Sequence, residues 1–233
     1  MTSPRATLGI DEAGRGPVLG PLVLAGVCLR PAAAAALTRA GVADSKRFGS
    51  HGTGQLRRAA LAARLRDAAD SVVVRVVDVE EIDLRVRLHE LNHLEREHAE
   101  VIISRSAPCG RIVADGARLF SPLRERHPTL EARDRAEQHH VAVAAASIVA
   151  KTRRDELFAC ISRRYAPAYG PLAGGGYENP ATHRFLRAYV ARHGHLPPEA
   201  RRAWSWAGID YLPAGYDPLA DLPPVGQLAL VLR

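Results

Sequence analysis

The chain has 233 residues, is 47% hydrophobic, and carries a net charge of +7 with a pI near 9.8. Length and apolar fraction suit one large domain with its own core, and the basic balance points to a polyanionic partner such as nucleic acid. Cys28, Cys109 and Cys160 are isolated, odd in number and without metal-ligand spacing, so they read as buried thiols in a reducing compartment rather than a thiolate metal site. The apolar run Pro17–Leu29 is short, is broken by Gly20, Pro21 and Gly26, and follows no cationic leader, so neither export nor membrane insertion is indicated and a cytoplasmic protein is expected.

In chain order, Ala6–Asp11 and Leu22–Leu29 read as strands, and Ala32–Arg39, with its alanine run, as a short helix. Gln55–Ala69 has helical apolar spacing, and Ser71–Val79 is a valine-rich strand. Glu80–Arg105 reads as one long helical stretch, Arg111–Asp115 as a further strand, and Val141–Tyr165 as a helix of small residues. Asn179–Gly194 and Pro198–Ala207 predict a C-terminal helical portion. Two early strands in hairpin contact, followed by βα units, argue for an α/β fold: a mixed sheet flanked by helices. No internal repeat is visible.

Gly9–Pro17 reads GIDEAGRGP, which places two adjacent carboxylates, Asp11 and Glu12, just before Arg15 between two glycines. Neighbouring strand residues point to opposite faces, so two adjacent acids in mid-strand share a partner only if the backbone bends, and the end of the strand is where it can. Gly14 and Gly16 allow positive φ and close approach of a ligand to the main chain. The plain alternative is a polar turn whose acids cap the next element. Ile112–Gly116, IVADG, repeats the construction with Asp115 at the end of an apolar strand, although an Asp-Gly pair is often just a turn. Two strand ends that each present an acid build a metal site at one edge of an α/β sheet.

These blocks, with Asp44-Ser45-Lys46 and Ala144–Lys151 (AAASIVAK), in this order and spacing, closely resemble the type 2 ribonuclease H family, ribonuclease HII. Gly176-Tyr177 and Leu196–Trp204 extend the likeness, which covers about residues 6–208 and leaves 209–233 as a proline-rich acidic tail. The chain has 30 arginines but two lysines, Lys46 and Lys151, and both fall inside the resembling blocks, as expected where a compact ammonium contacts phosphate.

The resemblance implies an endonuclease that hydrolyses the RNA strand of an RNA–DNA hybrid and cuts at ribonucleotides embedded in duplex DNA, leaving 5′-phosphate and 3′-hydroxyl ends. It implies four carboxylates holding two divalent ions, three of which map directly onto Asp11, Glu12 and Asp115. The fourth departs from the family pattern. Where the family has Lys-Ala-Asp or Lys-Gly-Asp ten residues before the serine, this chain has Arg135-Ala136-Glu137; the register favours Glu137 over nearby Asp134. Hard oxygen donors without a cysteine or histidine cluster suit Mg²⁺ or Mn²⁺. Two such ions roughly 3.5–4 Å apart activate water and stabilise the leaving oxygen, with Asp11 the candidate bridge. By the same resemblance the Gly14-Arg15-Gly16 backbone reads the 2′-hydroxyl. Tyr177 lies by the sugar next to the junction, although a tyrosine amid glycines is otherwise a loop anchor, and Ser147, Lys46 and Lys151 contact phosphates.

Basic clusters at Arg57/Arg58/Arg64/Arg66, Lys151/Arg153/Arg154/Arg163/Arg164 and Arg184/Arg187/Arg192/Arg201/Arg202 either track phosphates or form solvated helix faces. His89-Glu90-Leu91-Asn92-His93 matches HExxH on a predicted helix, the pattern of a zinc peptidase, but lacks a third ligand and leaves every other block unexplained. A hybrid-binding protein without chemistry is the other alternative; a pure binder gains nothing from carboxylates set against phosphates. Finally, Asp217–Pro224 reads as an extended linker that delivers Gln227–Leu232 (QLALVL). That string is similar to the QLxLF-type peptides with which bacterial DNA-processing proteins hold the replication sliding clamp, with Val231 where an aromatic is commoner. A final strand or packed tail explains the same apolar residues.

Overall fold

The computed structural model describes residues 6–42, 53–204, 210–220 and 222. Lys46, with Asp44 and Ser45, and the Gln227–Leu232 string therefore lie outside the described residues. The described residues form two compact units, the first within Met1–Ala13, Val23–Val76 and Asn92–Asp155, the second within Gly14–Leu22, Val77–Leu91 and Glu156–Arg233.

The first unit holds a five-stranded mixed sheet in the order β3 (Ser71–Val77), β2 (Leu22–Leu29), β1 (Thr7–Ala13), β4 (Arg111–Asp115), β5 (Leu130–Arg133). β1 and β2 form the expected antiparallel pair, Thr7 opposite Leu29 and Ala13 opposite Val23, whereas β1–β4 and β4–β5 are parallel. Every residue of β2 is buried, the pattern of a strand covered on both faces. Two glycines show how closely. A Cβ on Gly9 would stand 2.1 Å from the backbone of Ala142 in α6 (Val141–Tyr169), and one on Gly26 would stand 2.2 Å from Ile102 in α4 (Leu91–Arg105). Gly26 lies opposite Ile10, and Ile10 points away from the face of Gly9, so the two glycines admit α6 and α4 to opposite faces of the sheet. This unit also contains α1 (Pro31–Arg39), α2 (Thr53–Ala68) and the short α5 (Ala117–Phe120).

The second unit packs the Val18–Leu19 segment, the latter half of α6 and α7 (Pro180–His193) around Phe158, Ile161, Phe185, Leu186, Tyr189 and Leu196. Asn179 caps α7 by accepting from the N–H groups of Ala181 and Thr182, and Gly194 ends it at φ +77°, which is why the sequence brackets that helix so well.

Three expectations need correction. Glu80–Arg105 is two helices, α3 (Val79–Arg87) and α4, separated at His89, whose φ is +58°. Neither glycine nor proline marks that break. His89 and Glu90 precede α4, so the two histidines do not lie one turn apart on a single helix, and the zinc-peptidase geometry is absent. Pro198–Trp204 is not helical: Ala200 bridges to Leu19, Gly20 N–H donates to Glu199, and Arg201 N–H donates to Val18. Cys160 is exposed, whereas Cys28 is buried as expected. Among the described residues no helix is long and apolar enough to cross a membrane.

Candidate active site

The last paired residues of the β1–β4 ladder are Ile10 and Ala114, and one step further along both parallel strands stand Asp11 and Asp115. Adjacent strands lie about 4.8 Å apart, so the register alone brings these two carboxylates side by side, on the face covered by α6. β1 does not end there, contrary to the sequence expectation. It continues to Ala13, with Asp11 opposite Ala25 and Glu12 opposite Leu24 of β2. Only its β4 edge is released beyond Ile10, and that is where the acids sit.

Helix α6 completes the arrangement from above. From Ala142, over Gly9, to Ser147 the helix advances about 7.5 Å, and from Gly9 to Asp11 the strand advances about 6.6 Å. Ser147 is accordingly buried and hydrogen-bonded to Asp11, and Lys151, one turn on, donates to the Ser147 Oγ at 2.7 Å. Ser147 thus links Lys151 to Asp11 in this structure rather than presenting a free hydroxyl.

After β5 the chain turns through Arg135, at φ +56°, into a single 3-10 turn, Ala136–Gln138. The Ala136 N–H donates to the Asp115 Oδ1 at 2.9 Å, and Glu137, only 7% exposed, is hydrogen-bonded to Asp115. Asp134 is turned away: its Oδ1 accepts from the Ala117 N–H at 2.7 Å and it stays exposed. Of the two sequence candidates for a fourth carboxylate, the fold brings Glu137 to Asp115 and gives Asp134 to the start of α5.

Burial, reinforced by the Glu12 carboxylate, pushes Asp11 up to about 7; the Ser147 hydrogen bond and the Lys151 charge oppose this only in part. Asp115 is raised to about 6, mainly by burial, with Asp11 and Glu137 adding to it. Such a cluster of raised carboxyls is under-compensated in positive charge and fits a divalent cation with a preference for oxygen. Among the described residues no three His, Cys, Asp or Glu side chains converge into a ready-made cage.

In the second unit, Gly14 takes φ +95°, a conformation that requires glycine, while Gly16 needs only space: a Cβ there would meet the Tyr177 ring at 3.6 Å. Val18 and Leu19 N–H groups both donate to the Gly176 carbonyl, which fixes the neighbour of Tyr177 against the same loop. Tyr177 is 51% exposed, so it is no buried loop anchor.

A family model described as Ribonuclease HII matches residues 8–207. The chain belongs to the ribonuclease HII family. A ribonuclease HII of Thermofilum pendens is 34% identical over 211 residues, 84% of this chain and 95% of that protein. The crystal structure of ribonuclease H2 from Pyrococcus horikoshii OT3 superposes with a TM-score of 0.74 at 31% identity, covering 86% of this chain and 94% of that one. A ribonuclease HII from Archaeoglobus fulgidus, solved as a complex with PCNA, gives 0.72 at 32% identity, covering 85% and 93%. The enzyme is thus an endoribonuclease with the ribonuclease HII fold, and its family supports hydrolysis of RNA in RNA–DNA hybrids.

Sequence reasoning missed two things that this ribonuclease depends on. The sequence groups Arg201 with a basic cluster, yet it is fully buried, and Arg58, paired with Asp155 at 3.0 Å, and Arg154 are buried as well. The packing role of Gly9 was also unread, although a glycine two residues before the first acid is its only sequence trace.

The raised acids make a prediction about stability. A carboxyl whose folded pKa exceeds its unfolded value binds more protons in the folded state, so its contribution falls as pH rises through the interval between the two. For Asp11 that interval runs from 3.8 to about 7, and for Asp115 from 3.8 to about 6. Metal-free enzyme should therefore lose melting temperature between pH 5 and pH 8, and Asp11→Asn should flatten most of that loss. A mutant with the wild-type slope would show that Asp11 is not the strained group.

Proposed function

We propose that this ribonuclease HII cuts both RNA–DNA hybrids and single ribonucleotides embedded in duplex DNA, with Asp11, Glu12, Asp115 and Glu137 holding divalent Mg²⁺ or Mn²⁺. The observation that carries this reading is the juxtaposition of Asp11 and Asp115, one step beyond the last Ile10–Ala114 pair of β1 and β4, with Glu137 delivered to Asp115. The bound ions supply a water nucleophile at neutral pH and stabilise charge on the leaving 3′-oxygen. The chain's own residues do the rest. The Ser147 hydroxyl and the Lys151 ammonium favour the ionised form of Asp11 and so offset part of the effect of its burial. Lys151 is half-buried and, like Lys46, carries a compact charge suited to a phosphate of the cut strand. Only Ala13 separates Glu12 from Gly14, so the backbone of Gly14-Arg15-Gly16 follows the acids directly and suits recognition of the 2′-hydroxyl, with Tyr177 beside the adjoining sugar.

Tyr177→Ala tests the junction reading. The variant should lose on the order of 10-fold more rate on a duplex with one embedded ribonucleotide than on a long RNA–DNA hybrid, the equivalent of roughly 1–3 kcal/mol of lost stacking. Equal losses on both substrates would remove Tyr177 from substrate recognition.

The Archaeoglobus fulgidus relative solved with PCNA supports a sliding-clamp partner, for which Gln227–Leu232 is the candidate segment. Tethering raises local substrate concentration without altering the site. Deleting residues 226–233 should leave cleavage of free oligonucleotides unchanged and abolish clamp binding in a pull-down; unimpaired clamp binding after deletion would assign it elsewhere.

A further inference from the structure

Arg201 is 0% exposed, yet its guanidinium meets three backbone carbonyls of one loop: Nε donates to Gly20 at 3.0 Å, Nη1 to Arg15 at 2.9 Å, and Nη2 to Gly14. Burying a charge is costly unless it is solvated by the protein, and here the loop carbonyls take the place of water. The Trp204 ring, 4.9 Å from the guanidinium carbon, covers one face. The buried Asp83 carboxylate interacts with the same charge and accepts from the Arg202 and Ala203 N–H groups at 2.9 and 3.0 Å, which fixes the backbone just after Arg201.

The described peptide bonds are all trans. In a trans unit the C=O and the following N–H point in opposite directions. Fixing the carbonyls of Gly14 and Arg15 on Arg201 therefore turns the amides of Arg15 and Gly16 away from the guanidinium. Those amides are the groups that the loop reading assigns to the ribose.

We propose that Arg201, held by Asp83, is the positioning residue that presents the Gly14-Arg15-Gly16 amides to the 2′-hydroxyl, and so sets the discrimination of ribose from deoxyribose. This rests on the reading of that loop given above.

The test compares steady-state kinetics of full-length wild type, Arg201→Lys, Asp83→Asn and Gly16→Ala on two duplexes that carry, at one position, a ribonucleotide or its 2′-fluoro analogue. Lysine keeps the charge but cannot reach three diverging carbonyls. Folding of each variant is checked by its melting curve. The expected result for Arg201→Lys is a KM within about 3-fold of wild type, a kcat on the ribonucleotide lower by about 10²-fold, the size expected for a small misplacement, and a ribose preference reduced at least tenfold. Asp83→Asn should shift the same ratio in the same direction by less, and it decides the matter if Arg201→Lys does not fold. Gly16→Ala should also reduce the ratio. If Gly16→Ala reduces it while folded Arg201→Lys and Asp83→Asn keep it, the Arg201 assignment is overturned and the loop reading survives. If Gly16→Ala leaves the ratio at the wild-type value, the loop does not read the 2′-hydroxyl and both fall.

Discussion

Asp11→Asn and Asp115→Asn should each abolish hydrolysis, a loss on the order of 10³-fold or more, because several kcal/mol of charge stabilisation disappears with the carboxylate. Asparagine keeps the shape of the carboxyl and spares the cost of a buried charge that already raises Asp11 to about 7 and Asp115 to about 6. Removing a charge that stands against phosphates should leave binding of an uncut hybrid equal or tighter, which separates this loss from unfolding. The same assay ranks the fourth ligand. Glu137→Gln should cost at least tenfold more activity than Asp134→Asn, since Glu137 lies against Asp115 while Asp134 bonds the Ala117 N–H. Substantial residual turnover in Asp115→Asn would remove it from the site, and the reverse ranking would move the fourth position to Asp134.

The largest effect on stability should come from one methyl group. In Gly9→Ala the new Cβ would stand 2.1–2.3 Å from the backbone of Ala142 and Val143, where no side chain can swing aside. Relief requires α6 to lift from β1, which costs about 4 kcal/mol or more. The melting temperature should fall by roughly 8–16 °C. Cleavage should fall as well, because α6 carries Ser147 and Lys151 to Asp11. Gly16→Ala, whose Cβ would meet only the Tyr177 ring at 3.6 Å, serves as the contrast and should melt like wild type. A Gly9→Ala protein as stable as wild type would mean that α6 is not seated on the strand in this way.

The sheet was legible wherever a strand has an unbroken apolar run. Leu22–Leu29, buried along its whole length, and Arg111–Asp115, whose Ile112-Val113-Ala114 centre is buried between polar ends, are strands at the predicted bounds. β5 escaped because Leu130-Glu131-Ala132-Arg133 is too short for its alternation to stand out, and its partner β4 is needed to define it. The break at His89 was hidden for another reason. The helical periodicity runs on through it, and only the tertiary fold pays for a left-handed histidine. At the site, Asp11 and Asp115 were readable because each closes an apolar run, and Glu137 because its spacing to Ser147 survives the change from aspartate. What no local pattern showed is the function of Arg201. A run of arginines looks the same in sequence whether it faces water or carbonyls, and its acceptors lie more than 180 residues away.

The central claim, metal-dependent hydrolysis at a carboxylate cluster, is tested most directly by the ends of the product. A DNA duplex carrying one ribonucleotide is incubated with the enzyme in Mg²⁺ or in chelator, and the fragments are weighed by mass spectrometry. Cutting confined to the Mg²⁺ sample, with a 5′-phosphate on one fragment and a 3′-hydroxyl on the other, is the predicted result. Cutting that persists in chelator, or a fragment ending in a 2′,3′-cyclic phosphate, would contradict it, because the 2′-hydroxyl rather than water would then be the nucleophile.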